Sequence, residues 1–404
     1  MRAGKAAIIS NRCIDCGECI RVCPHHAKKA KHDLLASLQD FTYKVALPAP
    51  ALYGQFKNLD DIDIVLNGLL GLGFDAVAEV SRGAEIVSDA TRQLMADGKL
   101  KKPVISSACP AVVRLIQVRF PDLCGQVLPI KAPFEVAAML ARKEAMEKTG
   151  LPSEQIGIFF ISPCPAKVTD ARTPMGTEKS NIDRVLAISD VYPALCSSMK
   201  KVEKVQPLSR SGIIGVGWSS IGGEAAGLLN ENHLAADGIN NVIKVLEDLE
   251  DEKLQDLDFI ELNACAGGCV GGILTAENGY VARARIKRLR KYLPVSCNRM
   301  RDAGSAKELE WTKPLQYDPA LKLADNVEDA MRLMQRVDAI YQRLPRLDCG
   351  SCGAPSCRAL AEDVARGLAN EADCIFVMRR QIREIAEKLV QVDGSQRRTQ
   401  EEEK

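Results

Sequence analysis

The chain has 404 residues, and at about 150 residues per domain this length predicts two to four folding units. Hydrophobic residues make up 46% of it, enough for a substantial core, and a formal net charge of +1 argues against a polybasic nucleic-acid-binding protein or an acidic tail. No run of about 18 apolar residues predicts a membrane span, and the N-terminus lacks the apolar stretch of a signal peptide. We therefore expect a cytoplasmic protein with no nucleic-acid and no membrane partner.

The chain contains 15 cysteines, which is unusual for a protein without an export signal. In a reducing cytoplasm, clustered cysteines are better explained by metal binding or catalysis than by disulfides. Four lie within residues 13–23, four within residues 349–374, and the others are spread singly between these groups. This distribution predicts two small metal-binding ends around a larger core.

Between these ends, short apolar runs alternate with longer amphipathic stretches. The pattern predicts a strand beginning at Tyr43 and ended by prolines, and further strands at 104–105, 156–161, 185–188, 213–216 and 259–262. It predicts helices over 61–70, 85–100, 134–148, 241–252 and 327–344. Strands that alternate with helices indicate an α/β fold whose parallel sheets are covered on both faces. The charged tail from 381 is predicted to be helical, with disorder from 400.

The N-terminal cysteines have the spacing of a bacterial ferredoxin. Cys13, Cys16, Cys19 and Cys23 form a Cys-x2-Cys-x2-Cys-x3-Cys run followed by Pro24, which is typical of a [4Fe–4S] cluster. A zinc knuckle is the alternative, but the final Cys-Pro favours the ferredoxin interpretation. In two-cluster ferredoxins the fourth cysteine serves the other cluster, so here either Cys23 or a distant cysteine completes the ligand set.

The C-terminal cysteines predict a second cluster. Cys349, Cys352, Cys357 and Cys374 are separated by two, four and sixteen residues. Gly350, Gly353 and Pro355 let the backbone fold tightly around an inorganic core. The segment is similar to the small iron–sulfur domain of corrinoid iron–sulfur proteins and electron-transport complexes, with a structural zinc as the alternative.

Three central cysteines, Cys109, Cys164 and Cys265, each follow a predicted strand. The carboxyl ends of parallel strands are where such folds build their sites. Cys109 also opens a predicted helix, whose N-terminal dipole favours a thiolate. Cys265 and Cys269 lie in a compact glycine-rich segment where the backbone can approach a bulky group closely. Taken singly, each cysteine fits an ordinary buried thiol better than a ligand or a catalytic group.

Together, the central cysteines resemble the three signature loops of [FeFe]-hydrogenases over roughly residues 40–285. Those loops are Thr-Ser-Cys-Cys-Pro, Met-Pro-Cys-x2-Lys-x2-Glu and Glu-x-Met-x-Cys-x2-Gly-Cys-x2-Gly-Gly. The resemblance implies an H-cluster domain of two parallel-sheet lobes flanked by helices, with a small ferredoxin-like domain before it and a helical iron–sulfur domain after it. The expected boundaries are 1–38, 39–325, 326–380 and a tail over 381–404.

The same resemblance assigns roles within the H-cluster domain. The cubane of the H-cluster would be bound by Cys109, Cys164, Cys265 and Cys269. Cys269 would also bridge to a di-iron subsite with CO, cyanide and azadithiolate ligands, which maturases insert. Lys167 would donate a hydrogen bond to one cyanide, and the backbone of Pro48 and Ala49 would lie against the other. With the two terminal groups, the chain would hold three [4Fe–4S] clusters.

The departures from the family pattern concern proton transfer. Ala108 replaces the proton-relay cysteine, and Asp170 replaces a glutamate after the lysine. Ser162 and Asn263 replace methionines near the di-iron subsite, and the first glutamate of the relay helix aligns with Arg82. Because general acid–base assistance is typically worth about 10²–10⁴-fold, turnover should be slow. Loss of the relay with all cluster ligands retained is similar to the sensory [FeFe]-hydrogenases.

The resemblance therefore implies slow, reversible H2 oxidation and proton reduction that reports H2, with electrons relayed through the accessory clusters. The expected partners are H2 and protons, a ferredoxin-like redox protein or a signalling kinase or phosphatase, the maturases and a second copy in a homodimer. The alternative is a non-catalytic iron–sulfur electron-transfer or assembly protein of the same superfamily. The remaining cysteines, Cys124, Cys196 and Cys297, are interpreted as ordinary thiols, unless one completes the N-terminal cluster.

Overall fold

The computed structural model describes residues 8–318, 322, 324 and 326–402. The chain divides into two compact units. The larger comprises Ile14–Asp318, and the smaller comprises Met1–Cys13 with Pro319–Lys404. Among the described residues, no helix has the length and apolar character needed to cross a membrane.

Two parallel sheets organise the larger unit. Its strands are β1 (Tyr43–Pro48), β2 (Ala76–Val77), β3 (Val104–Ile105), β4 (Ile156–Ser162), β5 (Arg184–Ala187), β6 (His233–Asp237) and β7 (Phe259–Asn263). One sheet has the order β2-β1-β4-β5 and the other the order β3-β7-β6. Every neighbouring pair is parallel, with Val45 opposite Ile158 in one sheet and Ile105 opposite Ile260 in the other.

Helices cover the sheets because the connections between parallel strands must cross over a face. The helices of the larger unit are α1 (Glu18–Arg21), α2 (Ile62–Leu70), α3 (Val80–Ala96), α4 (Pro110–Arg119), α5 (Pro133–Thr149), α6 (Pro165–Arg172), α7 (Ile188–Met199), α8 (Ile213–Gly217), α9 (Gly223–Gly227), α10 (Ile239–Glu250), α11 (Gly279–Leu289) and α12 (Ala306–Leu309). Those of the smaller unit are α13 (Val327–Arg343), α14 (Cys357–Ala365) and α15 (Ile375–Glu402).

Each sheet separates two hydrophobic cores. Along β4, Phe159 and Ile161 pack into one core, whereas Ile158 and Phe160 pack into the other. This alternation follows from the two-residue side-chain period of a strand. Burial on both faces confirms the predicted α/β architecture of covered parallel sheets.

One predicted strand is wrong, and two observed strands were not predicted. Residues 213–216 form helix α8, because a short apolar run carries no period that distinguishes a buried strand from a buried helix. Gly215 allows that helix to approach α3, since a Cβ atom there would lie 2.2 Å from the carbonyl oxygen of Ser81. The unpredicted strands are β2, which has only two residues, and β6, whose alanines have low strand propensity.

The smaller unit packs three helices around its own core. Buried residues from all three helices meet there, among them Val337, Leu360 and Val377. The last helix extends to Glu402, past residue 400, where the sequence predicted disorder to begin. Residues 403 and 404 lie outside the described part.

Candidate functional site

The same local structure presents the first two central cysteines. Cys109 is the residue before α4 and follows β3, and Cys164 is the residue before α6 and follows β4. A proline occupies the first helical position after each, which suits proline because its missing N–H would be unpaired there and its φ angle is already helical. Strand, cysteine, proline and helix therefore follow in that order in both sheets.

The other two cysteines lie in the loop after β7. Cys265 follows the strand, and Cys269 begins a short 3₁₀ turn. Gly267 and Gly268 between them have φ angles of +84° and +88°, a left-handed conformation that favours glycine. A Cβ atom on Gly268 would also lie 2.5 Å from the backbone nitrogen of Ile221, so the loop packs too tightly there for a larger residue.

The fold brings these four cysteines together from both sheets. Cys164 is buried, and Cys109, Cys265 and Cys269 are half-buried. The pKa of Cys164 is raised to about 12, mainly by burial and partly by the charges of Cys109 and Cys269, which a nearby lysine opposes. Burial followed by the charges of the other three thiols raises the pKa of Cys265. Such mutual electrostatic effects require short separations, so the four thiols form one group.

Lys167 lies within this group. Its Nζ atom donates a hydrogen bond to Sγ of Cys269 over 3.3 Å and lies 5.8 Å from the ring centroid of Phe134. Burial alone would lower the pKa of Lys167, but the negative charges of Cys269 and the neighbouring thiolates outweigh it and raise that pKa. The ammonium group is therefore held charged beside the cysteines.

A cavity of about 530 Å³, including its opening, adjoins Lys167 and Cys269. Its other lining residues are Ala49, Pro50, Ala51, Val80, Ala84, Ala108, Pro133, Phe134, Phe160, Trp218, Ser219, Glu224, Glu261 and Asn263. Of the residues singled out in the sequence, Ala49, Ala108, Lys167, Asn263 and Cys269 thus share one space. Most of its wall is apolar, which limits the access of water.

Other predicted site residues do not line this cavity. Pro48 ends β1 and is buried, and Ser162 ends β4, where its Oγ atom accepts a hydrogen bond from the backbone N–H of Cys164 over 3.2 Å. Ser162 therefore supports the backbone of the loop that carries Cys164. Asp170 accepts a hydrogen bond from the N–H of Met175, and burial raises the pKa of its carboxyl to about 7.

Arg82 and Glu85 of α3 also lie away from the cavity lining. Arg82 pairs with Glu144 and donates a hydrogen bond to Oδ1 of Asn298 over 3.2 Å. Glu85 is buried and accepts hydrogen bonds from Asn298 and from the N–H of Gly212. Both side chains are occupied by structural partners.

Two buried carboxyl groups in the cavity wall were not identified from the sequence. Glu224 is 4% exposed and accepts a hydrogen bond from Oγ of Ser106 over 2.6 Å. Glu261 is 2% exposed and accepts one from Nδ2 of Asn263 over 3.0 Å. Burial raises the pKa of both carboxyls, and the charge of Glu261 raises that of Glu224 further. Glu261 matches the glutamate that begins the third signature loop, a usable signal, whereas Glu224 stands in no recognised motif.

Three of the N-terminal cysteines, Cys16, Cys19 and Cys23, belong to the larger unit, and Cys13 belongs to the smaller one. The backbone N–H of Ala27 donates to Sγ of Cys23, and this hydrogen bond lowers the pKa of the thiol. The residues between these N-terminal cysteines pack against the central loops. Nη2 of Arg21 donates to the carbonyl oxygen of Gly271 over 2.7 Å.

The C-terminal cysteines share the core of the smaller unit to different extents. Cys357 and Cys374 are buried, Cys352 is half-buried and Cys349 is exposed. Oδ1 of Asp348 accepts a hydrogen bond from the N–H of Cys357 over 2.6 Å and fixes the start of α14. In the described part of the chain, no three His, Cys, Asp or Glu side chains are placed to bind a single metal ion.

Outside these groups, Cys124 and Cys196 are half-buried and Cys297 is exposed.

Fold and site define an α/β protein with four cysteines grouped after parallel strands, one of which, Cys269, lines a cavity. A family model described as "Iron only hydrogenase large subunit, C-terminal domain" matches residues 42–229 and 217–273. The chain therefore belongs to the iron-only hydrogenase large-subunit family. A model described as "4Fe-4S binding domain" matches residues 5–27, and an Fe–S cluster model matches residues 344–376.

Curated relatives share modest identity with the chain. An NADP-reducing hydrogenase subunit of Solidesulfovibrio fructosivorans is 23% identical over 200 residues, covering 44% of this chain and 34% of that protein. Iron hydrogenase 1 of Clostridium pasteurianum is 22% identical over 297 residues, covering 61% and 52% respectively. The chain thus spans between about a third and about half of the length of these relatives.

Solved structures confirm the predicted fold. A variant of an [FeFe]-hydrogenase from Chlamydomonas reinhardtii superposes with a TM-score of 0.52 at 16% identity, covering 68% of this chain and 92% of that one. An apo variant of the same enzyme gives a TM-score of 0.50 at 16% identity, with coverages of 66% and 88%.

Proposed function

We propose that this chain is an H2-sensing [FeFe]-hydrogenase that oxidises H2 and reduces protons slowly and reversibly. The observation that carries the proposal is the meeting of four family-motif cysteines and Lys167 beside a cavity that also contains Ala108. The ligands for the chemistry are retained, whereas the residue that would pass protons is an alanine. This combination suits a protein that detects H2 more than one that processes it quickly.

The donor set fits an iron–sulfur cubane. Cysteine thiolates are soft ligands that bind iron–sulfur clusters, and here they converge from both sheets and from a glycine loop that allows close approach. In the proposal, Cys109, Cys164, Cys265 and Cys269 hold the cubane. A positively charged iron core would also stabilise buried thiolates that water cannot reach.

The cavity beside Cys269 fits the di-iron subsite of the family. Lys167 is a charged donor at one end of the cavity, with three N–H groups and an Sγ partner. It would bind and orient an anionic ligand there, and the turn at Ala49, Pro50 and Ala51 would form another part of the cavity wall. When bound, the di-iron group supplies the centre at which H2 is split and formed.

Proton handling in this site would depend on carboxyl groups instead of a thiol. The Ala108 methyl group can neither donate nor accept a proton. Glu224 and Glu261 line the same cavity, and burial raises the pKa values of both carboxyls, which favours their protonated forms. We propose that Glu224 holds this proton and that its transfer through water limits the rate.

Electron transfer in the proposal uses the accessory clusters. The N-terminal cysteine segment packs directly on the central loops, since a Cβ atom on Gly17 would lie 2.5 Å from Ile273. Electrons would pass between the cubane and the terminal cysteine groups, and then to a ferredoxin-like protein or to a signalling kinase or phosphatase. Maturases would insert the di-iron subsite.

Infrared spectroscopy of the maturated protein tests the proposal. Bands from CO and cyanide should be present, and they should shift under H2 while H2 evolution stays slow. Absence of these bands after maturation, with iron–sulfur clusters intact, would identify a non-catalytic iron–sulfur protein. Rapid H2 evolution would contradict the sensory function.

A further inference from the structure

The long helix α15 presents apolar side chains that the described part of the chain does not cover. Its first turn is anchored, because Val377 is 3% exposed in the core of the smaller unit and the N–H of Met378 donates to the carbonyl oxygen of Cys374. From residue 378 to residue 389, however, every position is exposed. Helical backbone therefore continues well beyond the packing that supports its start.

The exposed apolar residues of α15 follow a regular spacing. Met378, Ile382, Ile385 and Leu389 are 42%, 59%, 57% and 64% exposed. They are separated by four, three and four residues, which is the alternation of a and d positions in a heptad repeat. The residues between them are mostly charged or polar, so the apolar surface is a narrow seam and not a broad face.

We propose that α15 pairs with α15 of a second copy of this chain in a parallel, two-stranded coiled coil. A narrow a/d seam is complementary to itself, because each side chain inserts between four residues of an identical facing helix. An isolated polar helix is only marginally stable in water, so a helix of this length with an open seam is stabilised by such a partner.

Charge does not oppose a parallel second copy. In the heptad frame set by the seam, Gln381 occupies a g position and Ala386, five residues later, occupies an e position. In a parallel pair, these positions face each other across the two helices, so no like charges meet there. The parallel arrangement also places the two Cys374 residues, each directly before its helix, at the same end of the coiled coil.

The experiment measures the mass in solution of the full-length, iron-loaded protein by anaerobic sedimentation or light scattering at micromolar concentration. One variant, Ile382→Gln/Ile385→Gln, makes two seam positions polar but keeps a good helix former. The matched control, Arg383→Gln/Glu384→Gln, places the same residues at neighbouring exposed positions off the seam. Neither variant changes the net charge.

We expect a dimer for the wild type and the control, and at least about a 100-fold loss of dimer affinity for the seam variant, since each chain loses two buried isoleucines. Equal iron content in all three proteins shows that the units are folded. A monomeric wild type overturns the proposal. A seam variant that remains as dimeric as the control also overturns it, because the dimer would then form through another surface.

Discussion

Nζ of Lys167 lies 3.3 Å from Sγ of Cys269, although the two residues are 102 positions apart in the chain. Lys167 stands on α6, the helix after strand β4 of the four-stranded sheet. Cys269 lies in the loop after strand β7 of the three-stranded sheet. The contact therefore joins the two sheets across the candidate site. A bound cluster with ligands on both loops would strengthen the same junction.

Substitution of Cys269 is expected to remove the di-iron chemistry and to spare the terminal clusters. In the proposed site this thiolate would serve both the cubane and the di-iron subsite, so Cys269→Ala should abolish retention of the di-iron group and all H2 turnover. The terminal clusters have separate ligands and should remain. Infrared bands of CO and cyanide are the measurement, with Cys124→Ala as a control that removes a half-buried thiol elsewhere. Unchanged bands in Cys269→Ala would contradict the assignment.

Iron content tests the three predicted cysteine groups together. Protein produced without maturases should contain about 12 irons per chain, four for each of three cubanes, with the spectra of [4Fe–4S] clusters. Maturation should add two more. A reproducible value near 8 in anaerobic preparations would mean that one terminal group does not bind a cubane.

Restoring a thiol at residue 108 should increase turnover. Ala108 lines the cavity and has no exchangeable proton, so Ala108→Cys would supply one missing link. The expected gain is at most about 10²–10⁴-fold, and less if the altered positions Arg82 and Asp170 also limit the rate. H2 evolution normalised to di-iron content from infrared bands is the measurement. If the rate does not change, proton transfer at this position is not limiting.

Removing the buried acid of the cavity wall should decrease turnover. Glu224→Gln keeps the size of the side chain and can still accept the hydrogen bond from Ser106, but it cannot release a proton. We expect at least about a tenfold decrease in H2 evolution. Glu135→Gln is the matched control, because Glu135 is 5% exposed but does not line this cavity. Equal rates in both variants would exclude Glu224 as the proton-holding group.

Asp170 should make stability depend on pH. Its carboxyl has a pKa of about 7 in the fold, above its ordinary value near 4, so over this range the folded protein binds the extra proton. Stability therefore falls as pH rises through this window, by about 2 kcal/mol between pH 5.5 and 7.5 from this group. Over the same rise in pH, the free energy of unfolding of Asp170→Asn, measured by denaturant unfolding, should increase by that amount relative to that of the wild type. A constant difference at all pH values would contradict the raised pKa.

The sequence identified the residues that local motifs define. Cys109 and Cys164 could be placed at the carboxyl ends of strands because an apolar run, a cysteine and a proline lie next to each other in the chain. The paired cysteines of the glycine loop were recognisable for the same reason. Such features depend on a few neighbouring residues, so they can be read without knowledge of the tertiary structure.

Features that depend on distant parts of the chain were missed. Glu224 follows two glycines in a segment without strong periodicity, and only folding places it against Ser106, 118 positions away. Residues 213–216 were predicted as a strand because their apolar character is clear but their run is too short to show a period. In both cases, tertiary packing decided the outcome.

The contact between Arg21 and Gly271 spans 250 positions of the chain. At about 5–20 residues per second of synthesis, the N-terminal cysteines leave the ribosome roughly 12–50 seconds before the loop that packs against their segment. During that interval their thiols are open to oxidants and to iron delivery alike. Cluster insertion at this end is thus expected to compete with oxidation of the thiols. Slowing translation after residue 30 in air should lower the iron content of the N-terminal group before that of the other groups.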